Sequence, residues 1–252
     1  MQLSSNVRRH KLPIVRDRIP NQSKSALKSF TGTEVERAIY VDYEGVPWKA
    51  PVFVGWLVDG EYAGAIIDRA FDDCAYRYRA KEVGRTANDD FASRLLTKAR
   101  TEKRHIVAWS QHDKKILWDV LASSQHAEFQ GTFVNAIKLG RPWHAANFGP
   151  GLRRGHARLC YFAAAFGQRV PPKYGDKVVG RSLSAVGKGL PDLGSYANLE
   201  SKHRQAWVTA VKHNKWDVDL TQRVCRLVVA GAPPTPGFLP PPEAMSSPPS
   251  DA

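Results

Sequence analysis

Apolar positions along the chain follow two periods. Ala38 to Tyr43 (AIYVDY), Pro51 to Val58 and Tyr62 to Asp68 are short runs of β-branched and aromatic residues, the composition of half-buried strands. Asp59 and Gly60 supply turn chemistry between the last two, which predicts an antiparallel meander. The period then changes. Phe91, Leu95, Leu96 and Ala99 recur at helical spacing behind a candidate N-cap at Asn88, with Asp89 and Asp90 in the positive first turn, so a helix is expected to about Arg104. His105 to Trp109 (HIVAW) reads as a buried strand, and Ser110 caps a helix carrying Ile116, Leu117, Val120 and Leu121. From Trp207 onward, Ala210, Val211, Val218, Val224, Cys225 and Val228 mark the core-facing stripe of a last helix. A three-strand meander followed by strand-helix units predicts an α/β domain with a mixed sheet and helices on both faces.

The periodicity fades at both ends. Residues 1–36 are rich in Arg, Lys, Ser and Asn and read as a basic, at most partly ordered arm. Residues 231–252 (GAPPTPGFLPPPEAMSSPPSDA) hold prolines that remove backbone donors and favour extended chain, so they read as a tail outside the fold. One domain over 37–230 is left, and 42% hydrophobic residues in 252 suit a single sizeable core.

Charge adds a partner class. Lys and Arg total 37 against 24 Asp and Glu, a formal charge of +13, which favours a polyanion because each neutralised phosphate releases condensed counterions. Between about Gly140 and Gly189, Arg153, Arg154, Arg158 and Lys173 stand among Tyr161, Phe162, Phe166 and Tyr174, an interleaving that suits a single-stranded nucleic acid held by its phosphates while its bases stack. The competing reading of this segment is a solvated loop region around a short apolar helix. No run approaches the ~20 apolar residues of a membrane span, and Arg8, Arg9, His10 and Lys11 precede no secretory apolar segment. Cys74, Cys160 and Cys225 are too scattered for a disulfide framework, so a reducing cytoplasm is expected. No Walker A or dinucleotide fingerprint accompanies a strand and helix, and the histidines lack zinc spacing with cysteine.

Four acids carry candidate chemistry. Asp42 and Glu44 sit two apart at the end of the first strand, so both carboxylates leave the same face, where a hard divalent ion such as Mg2+ or Mn2+ would relieve their repulsion. Asp113 opens the helix after HIVAW, and Ser110-x-x-Asp113 equally reads as a capping box. Asp217 and Asn214 fall inside the apolar stripe of the last helix, where an ionised carboxylate is costly unless paired or bound to metal. His213 lies one turn before Asp217, within reach of the same site or at the exposed edge of the stripe.

The order of these acids resembles that of the DEDD-type 3′-5′ exonucleases of the RNase H-like superfamily, over roughly residues 36–230. The resemblance implies an RNase H-like fold and two divalent metal ions, Mg2+ or Mn2+, held by Asp42, Glu44, Asp113 and Asp217. It implies in addition that His213 orients or deprotonates the attacking water at a DNA or RNA 3′ end. The chain departs from the family pattern in two places, which suits a divergent stand-alone branch. His213 lies four residues before Asp217 where the family usually has Tyr at four or His at five, and Trp109 takes the place of an Asn four residues before Asp113. Ser182 to Pro191 looks like the connecting segment before the last helix of such domains. The rival readings are a catalytically degenerate RNase H-like domain that binds nucleic acid or a partner protein, an RNase H-type endonuclease, and a basic scaffold whose acids are surface charges.

Overall fold

Strand β1 (Ile39–Gly45) sends Ile39, Val41 and Tyr43 to one face and Tyr40, Asp42 and Glu44 to the other, so one strand feeds both a core and a site. It belongs to a computed structural model that describes residues 20–238 apart from positions 22, 46–49, 78–82, 153–156, 170, 172–177 and 194. β1 pairs antiparallel with β2 (Pro51–Val58), which pairs antiparallel with β3 (Glu61–Ile66). Asp59 and Gly60 join them with φ of 52° and 81°, the two positive angles of a type I′ hairpin turn. Arg104 clamps the Asp59 carboxylate through two nitrogens, at 2.7 and 2.9 Å.

Three short parallel strands complete the sheet. β4 (Val83–Arg85) runs beside β3, β5 (Ile106–Ala108) beside β1 and β6 (Phe133–Asn135) beside β5, giving the order β4-β3-β2-β1-β5-β6. The helices are α1 (Lys24–Ser29), α2 (Gly32–Arg37), α3 (Asn88–Thr101), α4 (Gln111–Val120), α5 (His126–Thr132), α6 (Ala136–Phe148), α7 (Leu159–Ala165), α8 (Val178–Leu193) and α9 (Ser201–Val229). On one face, Val41, Tyr43 and Val54 pack with Phe91, Leu95, Leu117 and Phe129 of α3, α4 and α5. On the other, Phe53 packs with Leu183 of α8 and with Trp207 and Val211 of α9, its ring edge-on to Trp207 at 5.9 Å. Each large aliphatic or phenyl side chain buried in this way contributes roughly 1.5–3 kcal/mol. The molecule is an α/β fold with a mixed six-strand sheet and helices on both faces, consistent with an RNase H-like architecture.

Several sequence expectations shift. Packing begins inside the basic arm, where Ala26, Phe30 and Val35 of the α1–α2 region join Tyr40, Leu57 and Val218 in the core. It continues into the Pro-rich tail, since Trp143 Nε1 donates to Ala232 O at 2.7 Å and the Phe238 ring meets Tyr161 at 5.7 Å. Residues 1–19 and 239–252 lie outside the described residues. The segment around 140–189, open to a loop reading, is largely the helices α6, α7 and α8, and α8 replaces the connecting segment expected at Ser182 to Pro191. Glycines lower helix propensity there, but burial of Leu183 and Val186 against α9 overrides it. Asn88 is the first helical residue rather than the N-cap, which is Ala87, and its Oδ1 accepts from the Tyr43 hydroxyl at 3.0 Å. Among the described residues no helix is long and apolar enough to cross a membrane, and the three cysteines are free thiols.

Candidate metal centre

β1 and β5 run parallel as neighbours, so their C-terminal ends share one edge of the sheet. Asp42 and Glu44 stand at that end of β1, and the loop after β5 delivers Ser110 and Asp113 beside them. α9 crosses the same face and brings in His213, Asn214 and Asp217, because its apolar stripe of Trp207, Ala210, Val211 and Val218 docks on the sheet.

Glu44, His213 and Asp217 converge. His213 Nδ1 lies 3.4 Å from Glu44 Oε1 and 3.3 Å from Asp217 Oδ2, and the three ligand atoms all fall within 4.8 Å of one another. The imidazole therefore sits between two of the acids expected to bind metal. Their side chains are 13–21% exposed, enough for an ion or substrate to reach them from outside.

Asp42 is held from α9 rather than by His213. Asn214, fully buried, donates through Nδ2 to Asp42 Oδ2 at 2.8 Å and to the Asp42 carbonyl at 3.0 Å, while its Oδ1 accepts from the Tyr62 hydroxyl at 3.0 Å. Burial lifts the Asp42 carboxyl well above the ordinary carboxylate range, and the charges of Glu44, Asp113 and Asp217 lift it further. Asp217 is pushed up to about 7 by burial, with His213 opposing the rise and Glu44 and Asp113 adding to it.

Asp113 is present at the site in a different guise. It forms a complete capping box with Ser110: Oδ2 accepts from the Ser110 hydroxyl at 2.6 Å and backbone N–H at 3.2 Å, and Ser110 Oγ accepts from the Asp113 N–H. Oδ1 faces the Tyr43 N–H at 3.4 Å, which ties α4 to β1. Burial raises this carboxyl too, opposed by the hydrogen bonds from Ser110. The structure thus brings Asp42, Glu44, Asp113 and Asp217 into one electrostatically connected group, with Glu44 and Asp217 meeting at His213 and Asp113 engaged in its cap.

The donor set fits a divalent cation. Burial and mutual repulsion lift Asp42 and Asp217, and a cation among the carboxylates would return each to its ionised form. Carboxylate oxygens suit Mg2+ or Mn2+, and an imidazole nitrogen in the group tilts the balance toward Mn2+. Of the candidate phosphate contacts, Arg158 is exposed immediately before α7, and Arg153, Arg154 and Lys173 lie outside the described residues.

Sequence reasoning placed Asn214 in the apolar stripe without a role, and it missed Tyr62 and Gly55. The signal for Asn214 was there, since an amide in a core stripe must find partners. Tyr62 reads as any strand aromatic. Gly55 pairs with Asp42 across β1 and β2, where a Cβ would overlap Asn214 Oδ1 and come within 2.8 Å of the Tyr62 hydroxyl.

Fold and site together define an α/β protein with partly buried carboxylates gathered round one imidazole at the C-terminal edge of its central parallel strands. No family model, no curated protein and no solved structure matches the chain.

Proposed function

We propose that the protein is a divalent-metal-dependent phosphodiester hydrolase, a 3′-5′ exonuclease acting on single-stranded DNA or RNA. The observation that carries this reading is the convergence of Glu44, His213 and Asp217 within 4.8 Å beside the Asn214-held Asp42. Glu44 and Asp217, with Asp42 and Asp113 alongside, would hold Mg2+ or Mn2+. Such ions supply Lewis acidity at a phosphodiester and a bound water of lowered pKa. His213, when not itself a ligand, would take a proton from a water near Glu44 and Asp217, a role supported by its 3.4 and 3.3 Å distances to the two carboxylates, which would stabilise the imidazolium so formed. The 3′ polarity and the two-ion stoichiometry rest on the resemblance to DEDD-type exonucleases, and the nucleic-acid partner rests on that resemblance and the charge of +13.

One observation favours a second reading. His213 lies against both Glu44 and Asp217, so a protonated imidazole would neutralise them with no metal, as a catalytically degenerate domain that only binds nucleic acid or a partner protein would require. End-labelled single-stranded DNA and RNA of equal sequence, incubated in Mg2+, Mn2+ or EDTA, separate the two. A metal-dependent ladder shortening from the 3′ end, abolished in Asp42→Ala and Asp217→Ala, is the expected result. Binding without cleavage in every metal, indifferent to both substitutions, would leave the degenerate reading.

A further inference from the structure

We infer that Asn214 is a positioning residue for the Asp42 carboxylate, locked in its working orientation by the Tyr62 hydroxyl. This inference rests on the metal-site reading above. Asp42, Gly55 and Gly64 form one row across β1, β2 and β3 on the face that α9 covers. Two adjacent residues without side chains open a gap beside Asp42, filled by the Asn214 amide at Gly55 and by the Tyr62 hydroxyl and Phe53 ring at Gly64. A Cβ at Gly55 would overlap Asn214 Oδ1, and one at Gly64 would stand 3.2 Å from the Tyr62 hydroxyl and 2.7 Å from the Phe53 ring.

The amide can sit only one way round. Nδ2 faces two acceptors on Asp42, the carbonyl at 3.0 Å and Oδ2 at 2.8 Å, while Oδ1 faces the Tyr62 hydroxyl at 3.0 Å. Turning the amide over would press the oxygen of the fully buried Asn214 against two oxygens of the partly buried Asp42, which costs the desolvation of each unpaired group. Anchoring α9 to the sheet needs only the bond to the Asp42 carbonyl. The second bond grips the carboxylate by Oδ2, so that Oδ1 is the oxygen that would go to a cation. A neutral donor at this place holds the carboxylate without competing with a cation for its charge, which Lys or Arg would do.

The test is an Mn2+ titration of the full chain, followed by the electron paramagnetic resonance of the free ion, with thermal unfolding and strand cleavage measured on the same samples. Asn214→Ala is expected to weaken Mn2+ binding by about 10–100-fold, the range found when a group orienting a metal ligand is lost. Tyr62→Phe removes one oxygen only. It should weaken binding in the same direction by less, and add little in the double variant, because both act through one amide. The half-saturating Mn2+ concentration for cleavage should rise in step, with the KM for the strand unchanged. If Asn214→Ala does not fold, Tyr62→Phe decides. Folded variants that bind Mn2+ as the wild type does would overturn the positioning role and leave the nuclease reading intact. A wild-type chain that binds no Mn2+ and cuts neither strand would overturn both.

Discussion

Asp42, partly buried, and Asp113, buried, are carboxyls at one edge of the sheet, both raised first by loss of water contact, yet they are satisfied over different distances along the chain. Asp113 takes its shorter bonds from Ser110, three residues earlier, in a box that any helix start could build, and only a longer one, at 3.4 Å, from the distant Tyr43 N–H. Asp42 is gripped by Asn214, 172 residues away, and exists in its present form only because α9 lies across β1 and β2. Local satisfaction serves the helix and is indifferent to the site. Long-range satisfaction joins α9 to the sheet, and it falls on the carboxylate that the proposed function would give to a cation.

The largest expected effect joins pH and metal at the long-range side. Burial holds the folded Asp217 at about 7 against an ordinary 3.8, so folding takes up a proton between those values. The stability this proton brings is complete below 3.8 and lost as pH rises toward 7, so in EDTA the urea midpoint should fall over that interval. Mn2+ added at the upper end should restore it, since a cation binds the ionised group of the folded chain alone. Asp217→Asn should flatten the profile, and a wild-type profile already flat in EDTA would show that the cluster carries no excess of negative charge.

Next in size is Gly55→Ala, which drives a Cβ into Asn214 and should cost about 1–3 kcal/mol in urea unfolding. Gly84→Ala is its control, a β4 glycine with nothing within 4 Å of an added Cβ, and should change stability by no more than ~0.5 kcal/mol. Equal losses at both positions would mean that strand glycines matter here for their backbone and not for the gap they leave.

The smallest effect lies on the local side. Ser110→Ala removes the cap oxygen that accepts from His112 and Asp113 and should cost about 1 kcal/mol of stability in the same assay. Mn2+ binding should change far less than in Asn214→Ala. A larger loss of metal affinity in Ser110→Ala would reverse the comparison and make Asp113 the better-placed ligand.

The sequence by itself determined whatever backbone periodicity and near neighbours decide. The meander, its Asp59-Gly60 turn, the α3 and α9 stripes, the Ser110–Asp113 box and the shared face of Asp42 and Glu44 follow from φ/ψ preferences and from periods of 2 and 3.6 residues, which act over a few positions. Strands β4 and β6, three residues each, are too short to show a period, and α8 was hidden by glycines that its packing overrides. Only the tertiary structure decided which polar groups meet: His213 with both Glu44 and Asp217, and Asn214 with Tyr62 and Asp42 across three elements. Those contacts depend on where α9 settles on the sheet, which is fixed by the summed burial of Trp207, Ala210, Val211 and Val218, a property of the whole core that no local stretch of sequence carries.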